Sequence, residues 1–275
     1  MIRRTMDEFS RKRGLNCDAK RKLLLSVALI AFGGCMVFSD GLLPPPETND
    51  NGNDSTGGQT VPLKEAKLII EHNATDEDTG FQGAIDGEGW EYLNITGPDG
   101  LVLTIQGRGA LAAHGLTELF FETVEPENAE VPIDEVLAVL PAGAYTIEGP
   151  TVDGNWTSGT AVLNHRIPAG PVLLSPAEGA IVPASNLVVS WSPVTQTITG
   201  EALTLLRYQV IVEKDEDPHP RAVGKLGLSV LLPASVTSLT VPNEFIEAGT
   251  SYKWEVLAVE EGGNQTLSSG AFSTE

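Results

Sequence analysis

The chain has 275 residues, with 37 Asp/Glu against 17 Lys/Arg, a formal net charge of −20 and two cysteines. Residues 1–22 hold eight of the basic residues and three of the acidic ones, leaving nine and 34 for the remainder, a net of −25. That acidity excludes nucleic acid as a partner, because its binding needs a basic face, and it leaves direct adhesion to anionic headgroups without an electrostatic basis. Cys17 and Cys35 both sit near the start, so disulfide stapling, thiol catalysis and cysteine-ligated zinc are excluded from the rest. Stability must come from apolar cores, and about 240 residues allow two domains of ordinary size.

Residues 21–38, RKLLLSVALIAFGGCMVF, have the layout of an export signal: a basic pair, a short apolar run and small residues at a cleavage point. The basic excess before it suits retention on the cytoplasmic side. Gly33-Gly34-Cys35 resembles the lipobox of bacterial lipoproteins. The resemblance implies that residues 1–35 form a signal peptide and lipobox region, and that Cys35 carries the lipid as first residue of the mature chain. An uncleaved anchor, ordinary secretion and a buried core helix are the rival readings. Residues 36–62 follow as a disordered tether, with Pro44-Pro45-Pro46 and then a run of Asn, Asp, Gly, Ser and Thr too polar to offset ordering entropy.

From 63 to 169 the pattern predicts a small, mostly β domain of unknown family. Lys67–Glu71, Tyr92–Ile95, Leu101–Ile105 and Leu119–Phe121 read as short strands. Pro98-Asp99-Gly100 is a tight-turn signal that folds Trp90 to Gln106 into a hairpin. Pro132 to Leu140 places Ile133, Val136, Leu137 and Leu140 at helical spacing behind a first-turn proline, which predicts one short helix. Ala144–Glu148 and Thr160–Asn164 alternate like strands around Asp153-Gly154. Ile167-Pro168-Ala169-Gly170-Pro171 is the expected boundary.

Residues 170–275 read as seven short strands at sandwich spacing, including Leu187–Trp191, Tyr208–Val212, Val236–Val241, Tyr252–Val259 and Gly270–Ser273. Trp191, Tyr208, Leu239 and Tyr252 stand where a fibronectin type III domain keeps its core tryptophan, its two tyrosines and the apolar residue before the tyrosine corner. The segment resembles that family over about 105 residues, which implies a seven-stranded sandwich with all four residues in its core. The polar run Asp215 to Leu226 is foreign to the pattern and leaves an edge strand open there.

The chemistry-bearing motifs are few. Asp76, Asp78, Asp86 and Glu88 offer oxygens for a calcium ion, the alternative being a solvated acidic loop, and no other cofactor is expected. Gly107 to Ala112 fits the loose dinucleotide fingerprint but lacks a long helix behind it, so a glycine-rich turn is the expectation. His72, His114, His165 and His219 have no metal-ligand spacing, and five N-x-S/T triplets begin at Asn53, Asn73, Asn94, Asn155 and Asn264. Phe81, Trp90 and Trp156 are the candidate exposed aromatics for a partner.

The resulting expectation is a non-enzymatic, membrane-anchored cell-envelope protein with extracytoplasmic domains, acting as a protein-interaction or spacer module. A glycan-binding surface module is the alternative, and a secreted hydrolase or hydrolase accessory the third. The partner is an extracytoplasmic protein or glycan, and the membrane is reached through the N-terminal anchor.

Overall fold

The computed structural model describes residues 58–222 and 224–275; Cys17, Cys35 and the 21–38 segment lie outside the described residues. The fold is mainly β. The first half runs through Thr60–Pro62 (β1), Glu65–Asn73 (β2), Asp78–Trp90 (β3), Tyr92–Gly97 (β4), Gly100–Gln106 (β5) and Leu116–Glu122 (β6). One helix, Ile133–Leu137 (α1), precedes Gly143–Pro150 (β7) and Trp156–Leu163 (β8).

One sheet has the order β1-β8-β7-β4-β5, and it packs on the layer β2-β3-β6. Period-two alternation supplies the core between them. Leu68 and Ile70 of β2, Phe81, Ile85 and Trp90 of β3, Leu93 and Ile95 of β4, and Tyr145 and Ile147 of β7 are all buried together. Val136 brings α1 onto the same cluster. The helix is shorter than the 132–140 span the sequence predicts, and it stops at Leu137 before exposed Val139.

The second half contains Leu173–Ser175 (β9), Ala180–Val182 (β10), Val188–Trp191 (β11), Leu205–Lys214 (β12), Gly227–Pro233 (β13), Ser238–Thr240 (β14), Ser251–Glu260 (β15) and Gln265–Thr274 (β16). A three-stranded layer, β14-β11-β9, faces β13-β12-β15-β16 across a core of Val189, Trp191, Tyr208, Val210, Tyr252, Trp254 and Phe272. This is the fibronectin type III-like sandwich of seven strands, with β10 as a short parallel addition beside β16. Trp191 meets Tyr208 edge to face at 5.4 Å, and Tyr252 stacks on Phe272 at 5.3 Å. The Tyr208 hydroxyl accepts from Val194 N at 2.7 Å, and the Tyr252 hydroxyl accepts from Glu247 N at 2.8 Å, closing a tyrosine corner. Leu239 is partly buried against this core.

The two sandwiches share a sheet. The edge of β16 that holds β10 at its C-terminal end pairs in parallel with β2 at its N-terminal end, Gln265 with Glu71, Thr266 with His72 and Leu267 with Asn73. One sheet therefore runs β13-β12-β15-β16-β2-β3-β6 through both halves.

Four strands depart from the sequence reading, and the first is β1, which lies within the span 36–62 read as tether but pairs in parallel with β8. β3 spans thirteen residues where glycine and acid suggested loop. Gly83 is required there because a Cβ would stand 2.2 Å from the ring of Phe121, which lies across it from β6. The edge strand left open in the second half is β13, and β16 begins at Gln265 rather than Gly270.

Candidate functional site

The seam between β16 and β2 gathers buried polar groups. On β2 the residues Leu68 and Ile70 turn inward, so Glu71 turns to the opposite face. There β16 on one side and the segment after β6 on the other enclose it, leaving it 3% exposed. That segment is tied down by Thr123 N donating to Phe81 O at 2.9 Å and Asn128 N donating to Glu77 O at 2.7 Å. The Gln265 amide donates to the Glu71 carboxyl and also to Gln82 Oε1 at 3.1 Å; Gln82 in turn donates to Glu122 Oε1 at 3.2 Å. Oxygens of Glu71, Glu122 and Glu125 lie within 4.8 Å of one another.

Burial governs the protonation of this cluster. It pushes the Glu71 carboxyl up to about 7, against the lowering hydrogen bond from Gln265, with Glu122 and Glu255 adding to the rise. Burial, then the charge of Glu71, pushes Glu125 up to about 8. Asp78 is raised to about 6 by burial and by Asp76. Raised this far, Glu71 and Glu125 are partly protonated near neutral pH, which relieves the repulsion between like charges at this range.

Beside the cluster, Asn264 acts as a clamp. Its Oδ1 accepts from Ile70 N at 2.9 Å, while its Nδ2 donates to Asn164 O at 3.0 Å, Asn164 Oδ1 at 2.8 Å and Arg166 O at 3.2 Å. Thr266 Oγ1 donates to Pro168 O at 2.6 Å. These bonds tie the 164–168 connection to β16 and β2 together.

The four proposed calcium ligands do not converge. Asp76 and Asp78 stand at the β2–β3 turn, where Asp76 accepts from Asn73 Nδ2 at 3.0 Å. Asp86 lies eight residues further along β3 beside Lys64, at 3.8 Å, with exposed Glu88 beyond it. A strand rise of about 3.3 Å per residue separates the two pairs by roughly 26 Å, so no single ion takes both. Phe81 and Trp90 are likewise corrected: at 2% and 0% exposure they are core residues, because that face of β3 packs on β4 and β7 of the opposing sheet. Trp156 is exposed, as the first residue of β8, with its Nε1 3.5 Å from Glu148 Oε2.

The remaining motifs have local roles. Gly107 to Ala112 contains only a three-residue 3-10 turn, Gly109–Leu111. His72 Nδ1 lies 2.9 Å from Thr79 Oγ1, and burial lowers its pKa; His165 Nε2 lies 2.9 Å from Leu140 O. Asn264 is 1% exposed, which closes that triplet to glycosylation. Two depressions flank the junction. One, about 230 Å³, lies between Ile133 and Leu137 of α1 and the loop carrying Ile198 and Glu201; the other, about 620 Å³ and open, lies between Asn164, Leu203 and Glu261. Among the described residues no helix is long and apolar enough to cross a membrane.

The sequence did not reveal the seam cluster. Glu71 reads as the polar end of KLIIE, and its partner Gln265 is 194 residues away.

No family model matches the chain, and no curated protein does. Among solved structures it is similar to the chicken CNTN1 FN1-FN3 domains, at 12% identity over 79% of this chain and 69% of that one, with a TM-score of 0.28. It is also similar to a tetra-tandem repeat in the extending region of a large adhesion protein, at 14% identity over 77% of this chain and 50% of that one, with a TM-score of 0.26. The chain thus spans half the length of the second. The fibronectin type III-like character of the second half rests on its strand order, its aromatic core and its tyrosine corner.

Proposed function

We propose that this chain is a non-enzymatic, membrane-anchored cell-envelope protein whose two β modules form one stiff spacer or protein-interaction unit outside the cytoplasm. The observation that carries the reading is the sheet that continues from β13 to β6 through both modules. Domains joined only by a linker reorient freely by default. Here the joint contains ladder hydrogen bonds and a buried polar clamp, which supports a spacer of fixed geometry. The export signal, the lipobox-like Gly33-Gly34-Cys35 and the tether support its place on the membrane. Mass spectrometry of the mature N-terminus tests the anchor: the reading expects a diacylglyceryl group on Cys35, and an intact Met1 terminus on a soluble intracellular species overturns it.

A glycan-binding surface module is the second reading, favoured by Trp156, which is 38% exposed with a carboxylate beside it. An exposed ring with an adjacent acceptor suits the apolar face and hydroxyls of a sugar. Glycan capture that is lost in Trp156→Ala would support it; equal capture by both chains would remove it.

A further inference from the structure

The joint between the two modules is narrow. β2 pairs with β3 over nine residues and β15 with β16 over nine, but β16 meets β2 over three, Gln265–Leu267 against Glu71–Asn73. Hydrogen bonds at either end extend the seam: Ile70 N donates to Asn264 Oδ1 at 2.9 Å, and Ala74 N donates to Leu267 O at 2.9 Å. Glu71, an acid that is 3% exposed, stands on the first of the three pairs. Closing the seam takes its carboxyl out of water, and parting β16 from β2 returns it. Ionisation of this group and closure of the seam are therefore linked.

We propose that the seam is a proton-gated joint: a proton on Glu71 locks β16 against β2, and its loss frees the seam to open and the modules to reorient about residues 164–171.

The surroundings of Glu71 oppose its charged form. Glu122 faces it from β6, Glu125 from the segment after β6 and Glu255 from β15. Asp78, at the start of β3, adds its charge beside Glu125. β16 and β3 contribute the neutral Gln265 and Gln82. Lys67, on the same face of β2, is paired with Glu65. Arg207 of β12 shares the cross-strand row but lies beyond Val259 and Gln265, about 14 Å from Glu71 at the usual strand spacing. Among the described residues, no ion pair includes Glu71, Glu122 or Glu125. Burial and these acids outweigh the Gln265 hydrogen bond, so in the closed seam Glu71 is pushed up to about 7, against the ordinary 4.5. The proton's contribution to closure is complete below about pH 4.5 and is lost as pH rises to about 7. Opening then becomes about 70-fold more frequent between about pH 5 and about pH 8.

The inference rests on the reading of the two modules as one stiff unit and gives that stiffness a control. Amide hydrogen exchange of the full-length chain in detergent, each rate divided by the intrinsic rate at that pH, tests it. Ile70 and Ala74 report on the seam, while Glu91 and Val241, whose amides donate to Pro150 O and Leu187 O, report on the two modules. The expected result is seam protection that falls about 70-fold from about pH 5 to about pH 8, with Glu91 and Val241 better protected than the seam throughout. Glu71→Gln abolishes the fall. Glu122→Gln, at an exposed position, removes one like charge and shrinks it, which keeps the test valid should Glu71→Gln fail to fold. Seam protection that ignores pH overturns the proposal, as does a fall unaltered in these variants or a seam that exchanges only together with Glu91 and Val241. A seam well protected at both pH values refutes the gate and leaves the stiff unit standing; a seam already unprotected at about pH 5 removes both.

Discussion

Gln265 and Glu71 are register partners where β16 runs parallel to β2, and the glutamine amide donates to a carboxyl that is almost wholly out of solvent. This bond spans 194 residues and lies where one sandwich becomes the other. Removing the amide while leaving the acid would strand a buried polar group, which costs about 1–3 kcal/mol. Gln265→Leu should therefore lower the unfolding free energy by about that much in urea titration, and more at high pH, where Glu71 ionises.

The pH dependence has a definite sign. Glu71 is raised to about 7, Glu125 to about 8 and Asp78 to about 6, so above the ordinary carboxylate range the folded chain binds more protons than the unfolded one. Stability then falls as pH rises from about 4.5 to about 8 and levels off above that. For Glu71 alone the difference is on the order of 3 kcal/mol. The thermal midpoint should drop between about pH 5 and about pH 9, and Glu71→Gln should remove part of the drop. An unchanged slope in that variant would show that the acid is not protonated in the fold.

Asn264→Ala removes four hydrogen bonds at the junction and leaves Ile70 N without its acceptor. Loss of a buried network of this kind should cost about 2–4 kcal/mol. Hydrogen exchange checks its location: protection should fall at Ile70 and along the start of β16 before it falls in either core.

Gly83→Ala should destabilise by about 1–3 kcal/mol, because its Cβ would meet the ring of Phe121. Phe121→Leu in the same chain should recover part of the loss, giving a coupling that a double-mutant cycle measures.

In the second sandwich, Tyr252→Phe should cost about 1 kcal/mol through the lost acceptor for Glu247 N. Trp191→Ala should cost about 3–5 kcal/mol through the cavity it opens. Denaturant midpoints of the two variants would show the order.

Much of the second sandwich was legible because its signals are local. Trp191, Tyr208 and Tyr252 sit in alternating strands whose next-but-one residues share their face, as Val189, Val210 and Trp254 do. β3 was hidden for the opposite reason. Gly80, Gly83, Gly87 and Gly89 lower intrinsic strand preference, and only the fold shows that Gly83 makes room for Phe121. The same strand carried Phe81 and Trp90 into the core and spread the acidic residues along its length, so the expected calcium site dissolved. Glu71, Gln82, Glu122 and Gln265 come from four strands that meet only in the finished sheet, and no spacing within the chain could announce them. Trp156 was the exposed aromatic that local reasoning did find, from its place beside Asp153-Gly154.

The central claim is that the shared sheet makes the two modules one stiff unit, and calorimetry of the full-length chain addresses it most directly. The account predicts a single unfolding transition whose van't Hoff and calorimetric enthalpies agree, splitting in two when Asn264→Ala and Gln265→Leu are combined. Two separate transitions in the parent chain would contradict it.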